Sequence, residues 1–138
     1  MKSFLLAFLA TTIATSLTGC GASESLGTVR GNVTSDGQPV AEATISFRNT
    51  ETGESASAQL DASGAYQITG AGGVDPGTYK VIILPPEVEV SLGPNSPPTT
   101  RQKEMPNLPK RYRSIQTTPL SAEVGNGENE INFELTEK

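Results

Sequence analysis

The sequence predicts an all-β protein, a sandwich of seven short antiparallel strands. Three observations support this prediction. From residue 29 onward, apolar side chains recur at every second position in short runs, which is typical of strands with one buried face. Clusters of Gly, Pro, Asn and Asp separate these runs. No segment repeats with the 3.6-residue period of an amphipathic helix.

The seven runs carry further signals about their places in the sandwich. Gly31 stands within the first run and indicates a close backbone approach or a bulge. Ile82 and Leu84 make the fifth run apolar on both faces, so we expect it at the centre of a sheet. Residues 125–128 (Gly-Asn-Gly-Glu) predict a hairpin between the last two runs, because Asn and Gly accept positive φ. The runs cover residues 29–33, 43–47, 56–60, 66–68, 79–84, 120–124 and 131–135.

Residues 1–19 have the pattern of a signal peptide that is cleaved from the mature protein. Lys2 gives a positive start, and residues 4–17 form an apolar run that is shorter than the ~20 residues a membrane-spanning helix needs. The run ends in Leu17, Thr18, Gly19 and Cys20, which resembles the bacterial lipobox. We therefore expect Cys20 to be acylated. The alternative is an ordinary signal peptide that leaves Cys20 as a free thiol.

Residues 20–27 are small and polar, and we expect them to form an acylated tether. Fully extended, this segment reaches at most ~25 Å, so the domain that follows would lie close to the membrane that holds it. Two or three acyl chains hold a protein on a bilayer far more firmly than one chain does. Gly21 rather than Asp follows the cysteine, which by resemblance to lipoprotein sorting favours the outer membrane if the cell has two membranes.

Composition narrows the possible functions. The chain of 138 residues carries a net charge of −5, so it is not expected to bind nucleic acid. It contains no His, no Trp and a single Cys. The usual general base, the usual zinc ligand and any intrachain disulfide are therefore excluded. We expect no catalytic residues and no cofactor.

Three aspartates, Asp36, Asp61 and Asp75, stand at or just before predicted tight turns. A calcium site built from Asp61, Ser63 and a third carboxylate is one interpretation. Turn chemistry explains all three aspartates, and the acidic alternation of a calcium-binding loop is missing. We therefore expect no metal.

Four segments resemble the carboxypeptidase regulatory-like family. They are 29–33 (VRGNV), 36–45 (DGQPVAEATI), 61–68 (DASGAYQI) and 76–81 (PGTYKV), in an order and spacing that match over residues 28–84. The resemblance implies a transthyretin-like (prealbumin-like) sandwich for residues 28–138 and brings no functional residues with it. Residues 109–135 are similar to small lipoproteins with this domain in planctomycete-type bacteria.

Residues 85–119 form a Pro-rich insert in this domain, which we expect to be extended and poor in ladder hydrogen bonds. One interpretation is a docking strip for an anionic partner such as a lipid headgroup, an acidic glycan or an acidic protein face. The alternative is a solvated crossover that Tyr112 pins to the sandwich. The strip would consist of Arg101, Lys103, Lys110, Arg111, Tyr112 and Arg113.

Together these patterns predict a lipid-anchored protein of the cell envelope that binds rather than catalyses. Its expected partners are the membrane, through the lipid, and an envelope protein or glycan. A purely structural spacer or complex subunit is the alternative function. An enzyme is the least favoured function, because the chain lacks histidine and a Gly-rich nucleotide loop.

Overall fold

A computed structural model describes residues 26–69 and 72–137 of the chain. In these two ranges the chain forms eleven strands and one short 3₁₀ helix, Lys110–Arg113, and no α-helix. No helix in the described ranges is long and apolar enough to cross a membrane. The strands are β1 (Gly27–Ser35), β2 (Gln38–Pro39), β3 (Thr44–Arg48), β4 (Ser55–Gln59), β5 (Ala65–Ile68), β6 (Gly77–Leu84), β7 (Glu87–Val90), β8 (Thr99–Gln102), β9 (Ser121–Val124), β10 (Gly127–Glu130) and β11 (Phe133–Leu135).

The prediction of an all-β sandwich is confirmed, and each of the seven predicted runs contains a strand. Sheet I has β1 at its centre, with β5 and β2 antiparallel to it. Sheet II has the order β4-β3-β6-β9 and is antiparallel throughout. The run with apolar side chains on both faces forms β6. This strand pairs with β3 on one side and β9 on the other, so the prediction that it lies at the centre of a sheet is confirmed.

Two details of the predicted sandwich are corrected by the structure. The described residues contain eleven strands rather than seven, since β2, β7, β8 and β10 form where turns or irregular chain were expected. The sandwich is also not purely antiparallel, because β1 pairs in parallel with both β10 and β11. Parallel pairing requires a long crossover between the partners, and here almost the whole domain separates them.

The core lies between the two sheets and centres on Phe47, whose side chain is fully buried. Its ring contacts three other aromatic rings, with centroid distances of 6.0 Å to Tyr66, 6.3 Å to Tyr79 and 6.1 Å to Phe133. Both tyrosine hydroxyls are satisfied at the core boundary. Tyr66 donates to the carbonyl of Ile131 at 2.7 Å, and Tyr79 donates to the carbonyl of Asp75 at 2.8 Å. Burial raises the pKa of Tyr66, so its hydroxyl keeps its proton.

Gly31 marks a close approach of two backbones, as its position in the first run predicted. A Cβ atom at this residue would lie 1.8 Å from the carbonyl oxygen of Ile131. The pairing partner of β1 changes from β10 to β11 at this level. The amide of Ile131 donates to the carbonyl of Arg30 at 2.8 Å, and the amide of Asn32 donates to the side chain of Asn132 at 2.8 Å. The absence of a side chain therefore lets the C-terminal chain pass close to β1 between its two pairings with that strand.

The hairpin predicted at residues 125–128 is wrong. The strand before this turn, β9, belongs to sheet II, whereas β10 and β11 belong to sheet I. The turn therefore carries the chain from one sheet to the other. The side chain of Asn129 holds it, accepting from the amide of Gly125 at 2.9 Å and donating to the carbonyls of Gly125 and Gly127 at 2.9 and 3.1 Å.

The insert at residues 85–119 is more regular than the proline pattern predicted. β7 and β8 form a two-stranded ladder, and the 3₁₀ helix follows. Met105, Leu108 and Tyr112 from the insert pack into the core of the sandwich. The returning chain runs beside β6, where the amide of Val81 donates to the carbonyl of Leu120 at 3.1 Å. The insert thus covers the stretch of β6 that the short strand β9 leaves without a neighbour.

The sandwich has two ends, which determine where its surfaces lie. At the N-terminal end, Gly27 exchanges hydrogen bonds of 2.8 and 2.7 Å with Val74 and lies next to Val124. At the opposite, insert end, β1 and β11 finish side by side and β6 continues into the insert. With nine residues in β1 and a rise of ~3.3 Å per residue, the two ends are separated by about 25–30 Å.

Candidate functional site: a cationic cleft at the insert end

Three of the six predicted partner-binding residues line one cleft. Lys103, Lys110 and Arg113 border a space of about 480 Å³ together with one acidic side chain, Glu104, and apolar side chains of the insert that include Met105. Lys103 and Lys110 are exposed, and Arg113 is half-buried. The cleft therefore combines two exposed ammonium groups with one half-buried guanidinium.

Arg113 is held in place by the backbone of the insert. Its Nε donates to the carbonyl of Leu108 at 3.1 Å, and its terminal nitrogen donates to the carbonyls of Leu108 and Met105 at 2.6 and 3.0 Å. Carbonyl acceptors are neutral, so these bonds fix the guanidinium without cancelling its charge. Arg113 consequently braces the insert and supplies a preorganised positive charge to the cleft.

Lys103 connects the cleft to the sandwich through an ion pair with Glu42. The hydrogen bond from Lys103, with the charge it carries, holds the pKa of the Glu42 carboxyl below its usual range. Both side chains are exposed, so the pair adds little stability. Glu42 has a positive φ of 62° and lies just before β3, which places this contact at the insert end.

Arg111 and Tyr112 face the C-terminal strand rather than the cleft. The Tyr112 side chain is only 2% exposed, and its hydroxyl donates to the carbonyl of Thr136 and accepts from the amide of Thr136, both at 3.0 Å. Arg111 also donates to the carbonyl of Thr136, and its guanidinium carbon lies 4.8 Å from the Tyr112 ring centroid. These contacts agree with the interpretation in which Tyr112 holds the insert on the sandwich.

Arg101 is exposed on β8 opposite Val88 and is not among the residues that line the cleft. The structure therefore brings only three of the six predicted residues to this cleft. The sequence pattern missed Gln102, Met105 and Glu42, which line the cleft or pair with its lysine. No local signal distinguishes Glu42 from the other acidic residues, because its pairing with Lys103 spans 61 positions.

Among the three turn aspartates, Asp61 holds its turn through its side chain. Asp61 accepts hydrogen bonds from the hydroxyl and amide of Ser63 at 2.7 and 2.8 Å and from the amide of Ala65 at 3.0 Å. These donors hold the pKa of Asp61 below its ordinary value. Within the described ranges, no three acidic or cysteine side chains come together as a metal site. Leu17, Thr18, Gly19 and Cys20 lie outside the described residues, so the lipobox stays a prediction.

The fold and the cleft define a small β-sandwich domain with a braced insert at one end. The sequence profile of the carboxypeptidase regulatory-like domain matches residues 28–96. These 69 of the 138 residues amount to half of the chain, and the chain therefore belongs to that family. The domain of this family is regulatory rather than catalytic. Comparison with curated proteins gives no match, and comparison with solved structures gives none either.

The matched segment reaches only as far as the loop between β7 and β8. Strands β9, β10 and β11 follow it in the chain, yet they complete the same two sheets. β9 pairs with β6, and β10 and β11 pair with β1. The C-terminal segment is therefore part of the same sandwich, and the cleft lies in the piece of chain that connects the matched strands to it.

Proposed function

We propose that this chain is a lipid-anchored, non-catalytic protein of the bacterial cell envelope, and that its sandwich binds an anionic envelope protein or glycan. One observation carries the proposal: the cleft and the point where the chain enters the fold lie at opposite ends of the sandwich. Residue 26 leads into β1 at the N-terminal end, whereas Lys103 pairs with Glu42 at the insert end. An anchor at Cys20 would thus hold one end near the bilayer and present the cleft about 25–30 Å further out.

This arrangement favours a partner beyond the anchoring bilayer over the headgroups of that bilayer. The tether 20–27 adds at most ~25 Å of reach at the N-terminal end, so a domain that stands upright on it would hold the cleft well beyond the lipid headgroups. A cationic surface attracts anionic lipid strongly only within about a Debye length, which is ~8 Å at physiological salt. An acidic glycan or an acidic protein face can meet the cleft at any distance from the bilayer that the envelope allows.

The charge distribution supports an anionic partner. The whole chain carries a net charge of −5, so a cationic cleft is a local exception rather than a general property of the surface. Lys110 is exposed and Arg113 is fixed by carbonyl groups, so neither charge is neutralised by these contacts. A guanidinium held by the backbone and two exposed ammonium groups around one cleft can bind sulfate, phosphate or carboxylate groups.

A non-catalytic role is supported by the chemistry that the chain lacks. It contains no histidine, and its single cysteine is the predicted lipid attachment site. The domain that defines its family is regulatory rather than catalytic. A serine or threonine nucleophile would need a lysine base. The Lys80 side chain, on β6, donates a hydrogen bond to the carbonyl of Ile115 at 3.5 Å, and this is its one side-chain hydrogen bond among the described residues.

The anchor is tested with the variant Cys20→Ser expressed in a bacterial host that acylates lipoproteins. We expect the parent protein to carry acyl chains by intact-mass measurement and to pellet with membranes, whereas the variant stays unacylated and loses stable attachment. Separation of inner and outer membranes then tests the placement that Gly21 favours. Equal membrane partitioning of parent and variant would contradict the anchor.

The cleft is tested with the double variant Lys103→Gln/Lys110→Gln, since these two lysines are exposed and leave the Arg113 brace intact. The matched control is Arg30→Gln/Arg48→Gln, which removes the same charge from exposed positions elsewhere. The probes are dextran sulfate, polyglutamate and vesicles containing phosphatidylglycerol, all at low salt. At about 1 kcal/mol per cation, we expect the cleft variant to bind the two polymers about tenfold or more weakly and the control to be unchanged.

Other outcomes of this experiment distinguish the alternatives. Equal loss in both double variants would indicate nonspecific charge attraction and contradict the cleft. Binding to the vesicles alone would move the partner to the bilayer. No binding to any probe would favour the structural spacer.

A further inference from the structure

The outer edge of β4 is a second surface, separate from the cationic cleft. β4 is the last strand of sheet II and, in the part of the chain that the structure describes, pairs only with β3. Two backbone bonds fix the phase of this pairing. The amide of Asn49 donates to the carbonyl of Glu54 at 2.8 Å, and the amide of Leu60 donates to the carbonyl of Ala43 at 2.8 Å. The bonded positions on the β4 side are therefore the even-numbered ones.

Because bonded positions alternate along an antiparallel strand, the odd-numbered residues of β4 direct their backbone groups away from the sheet. These residues are Ser55, Ser57 and Gln59. Each presents one N–H and one C=O along the outer edge. Such a row of donors and acceptors is a template for another strand.

The sequence of β4 provides none of the usual protection against an incoming strand. Ser-Ala-Ser-Ala-Gln contains no charge and no proline. By contrast, β9, at the opposite edge of sheet II, carries Glu123, and β10, at an edge of sheet I, carries Glu128 and Glu130. Charged edges repel added strands, whereas the edge of β4 does not.

A cleft of about 690 Å³ runs along this edge, between β4 and the neighbouring edge strand β5 of sheet I. Its lining includes Ala56 and Ala58 from β4 and the buried Ile68 from β5, together with polar residues such as Ser57 and Gln67. The two alanines pack against the core yet stay partly exposed. Their methyl groups are too short to close the space between the two sheets here. A strand placed along β4 would direct every second side chain into this space.

From the free backbone edge and the adjoining cleft, we propose that β4 accepts an extended segment of a partner protein as an additional strand of sheet II. The segment carries apolar side chains at alternate positions, which fill the cleft beside Ala56, Ala58 and Ile68. A second copy of this chain suits the site less well. Antiparallel self-pairing about Ser57 would place Ala56 opposite Ala58 and leave the cleft unfilled. The proposal is independent of the lipid anchor and of the cationic cleft.

The test uses the full chain in detergent and a synthetic peptide of about ten residues that alternates valine with threonine. We expect saturating peptide to slow amide hydrogen exchange at Ser55, Ser57 and Gln59 by about tenfold or more, while the amides of Ala56 and Ala58, already bonded to β3, change little. A peptide of the same composition with its valines grouped at one end is the control and is expected to bind at least about tenfold more weakly.

The variant Ser57→Pro removes one outward-facing donor and leaves the bonds to β3 in place, which an edge strand tolerates. It is expected to bind the alternating peptide at least about tenfold more weakly than the matched control Ser57→Thr. If Ser57→Pro does not fold, a peptide N-methylated at alternate residues replaces it, with the same loss expected on the parent protein. Equal binding by the variant, absence of exchange protection, or absence of binding at millimolar peptide would each overturn the proposal. A parent dimer that Ser57→Pro abolishes would assign the edge to a second copy and overturn it as well.

Discussion

Replacement of Leu108 by alanine tests whether the Pro-rich insert is part of the folded core. The Leu108 side chain is 1% exposed and belongs to the core cluster, although it lies in the middle of the insert. Truncation to alanine removes about three carbon groups at ~0.8 kcal/mol each and leaves a cavity between the sheets. We therefore expect the free energy of unfolding to fall by about 2–4 kcal/mol, a large part of the total for a domain of this size.

The control is Leu92→Ala in the same insert. The Leu92 side chain is 72% exposed in the loop between β7 and β8, so its loss should change the free energy of unfolding by no more than about 0.5 kcal/mol. Urea unfolding followed by circular dichroism measures both variants, and an unchanged m-value would show that the difference lies in stability. If Leu108→Ala costs less than about 1 kcal/mol and matches the control, the insert does not contribute to the core and the reasoning fails.

Three further predictions concern the sandwich itself. Gly31→Ala should lower the free energy of unfolding by about 1–3 kcal/mol or more, because its Cβ would overlap a carbonyl oxygen. The control Gly37→Ala, at a positive φ of 79° with open space around it, should cost about 1 kcal/mol, and equal costs in urea unfolding would contradict the close approach. Asn129→Ala should cost about 1–3 kcal/mol through lost bonds at the crossover between sheets, and a thermal midpoint equal to that of the parent would refute this. Asp61→Asn should lower the thermal midpoint near neutral pH, and its difference from the parent should shrink as the pH falls. The pKa of Asp61 lies below 3.8 in the folded chain, so its charge stabilises the fold above that pH and ceases to do so as the pH falls through the folded pKa. A difference in thermal midpoint that stays constant over this range would contradict the assignment.

Local patterns in the sequence were sufficient to predict seven of the eleven strands that the structure describes. Alternation of apolar side chains identified all seven runs, and the both-sided apolar run identified the centre of sheet II. Gly31 was recognised as a close approach because glycine within a strand otherwise weakens it. These features depend on residues that are adjacent in the chain.

The partners of the strands could not be predicted in the same way. Residues 125–128 have the chemistry of a hairpin turn, and the same chemistry serves a turn that crosses between sheets. Which of the two forms depends on where β10 finds a free edge, and that edge is β1, about a hundred residues earlier. Period-two alternation carries no information about such distant pairing.

The candidate site was predicted in part. The sequence placed cations in the insert, and three of them line one cleft. It did not separate Lys110, which is exposed, from Arg113, which donates hydrogen bonds to the carbonyls of Met105 and Leu108. The sequence does not indicate whether the charge of a long basic side chain faces solvent or the backbone. The open edge of β4 also gave no signal, because a strand at an edge and a strand inside a sheet can share one composition.

Residue type and spacing along the chain were thus enough for the all-β class, for seven of the eleven described strands and for the absence of histidine chemistry. Only the tertiary structure decided that the first strand pairs in parallel with the last two, that the insert fills the gap beside β6, and that cleft and chain entry lie at opposite ends. The physical reason is that these features arise from contacts between residues far apart in sequence, where shape, burial and the supply of unpaired backbone groups choose among partners that local patterns leave equivalent.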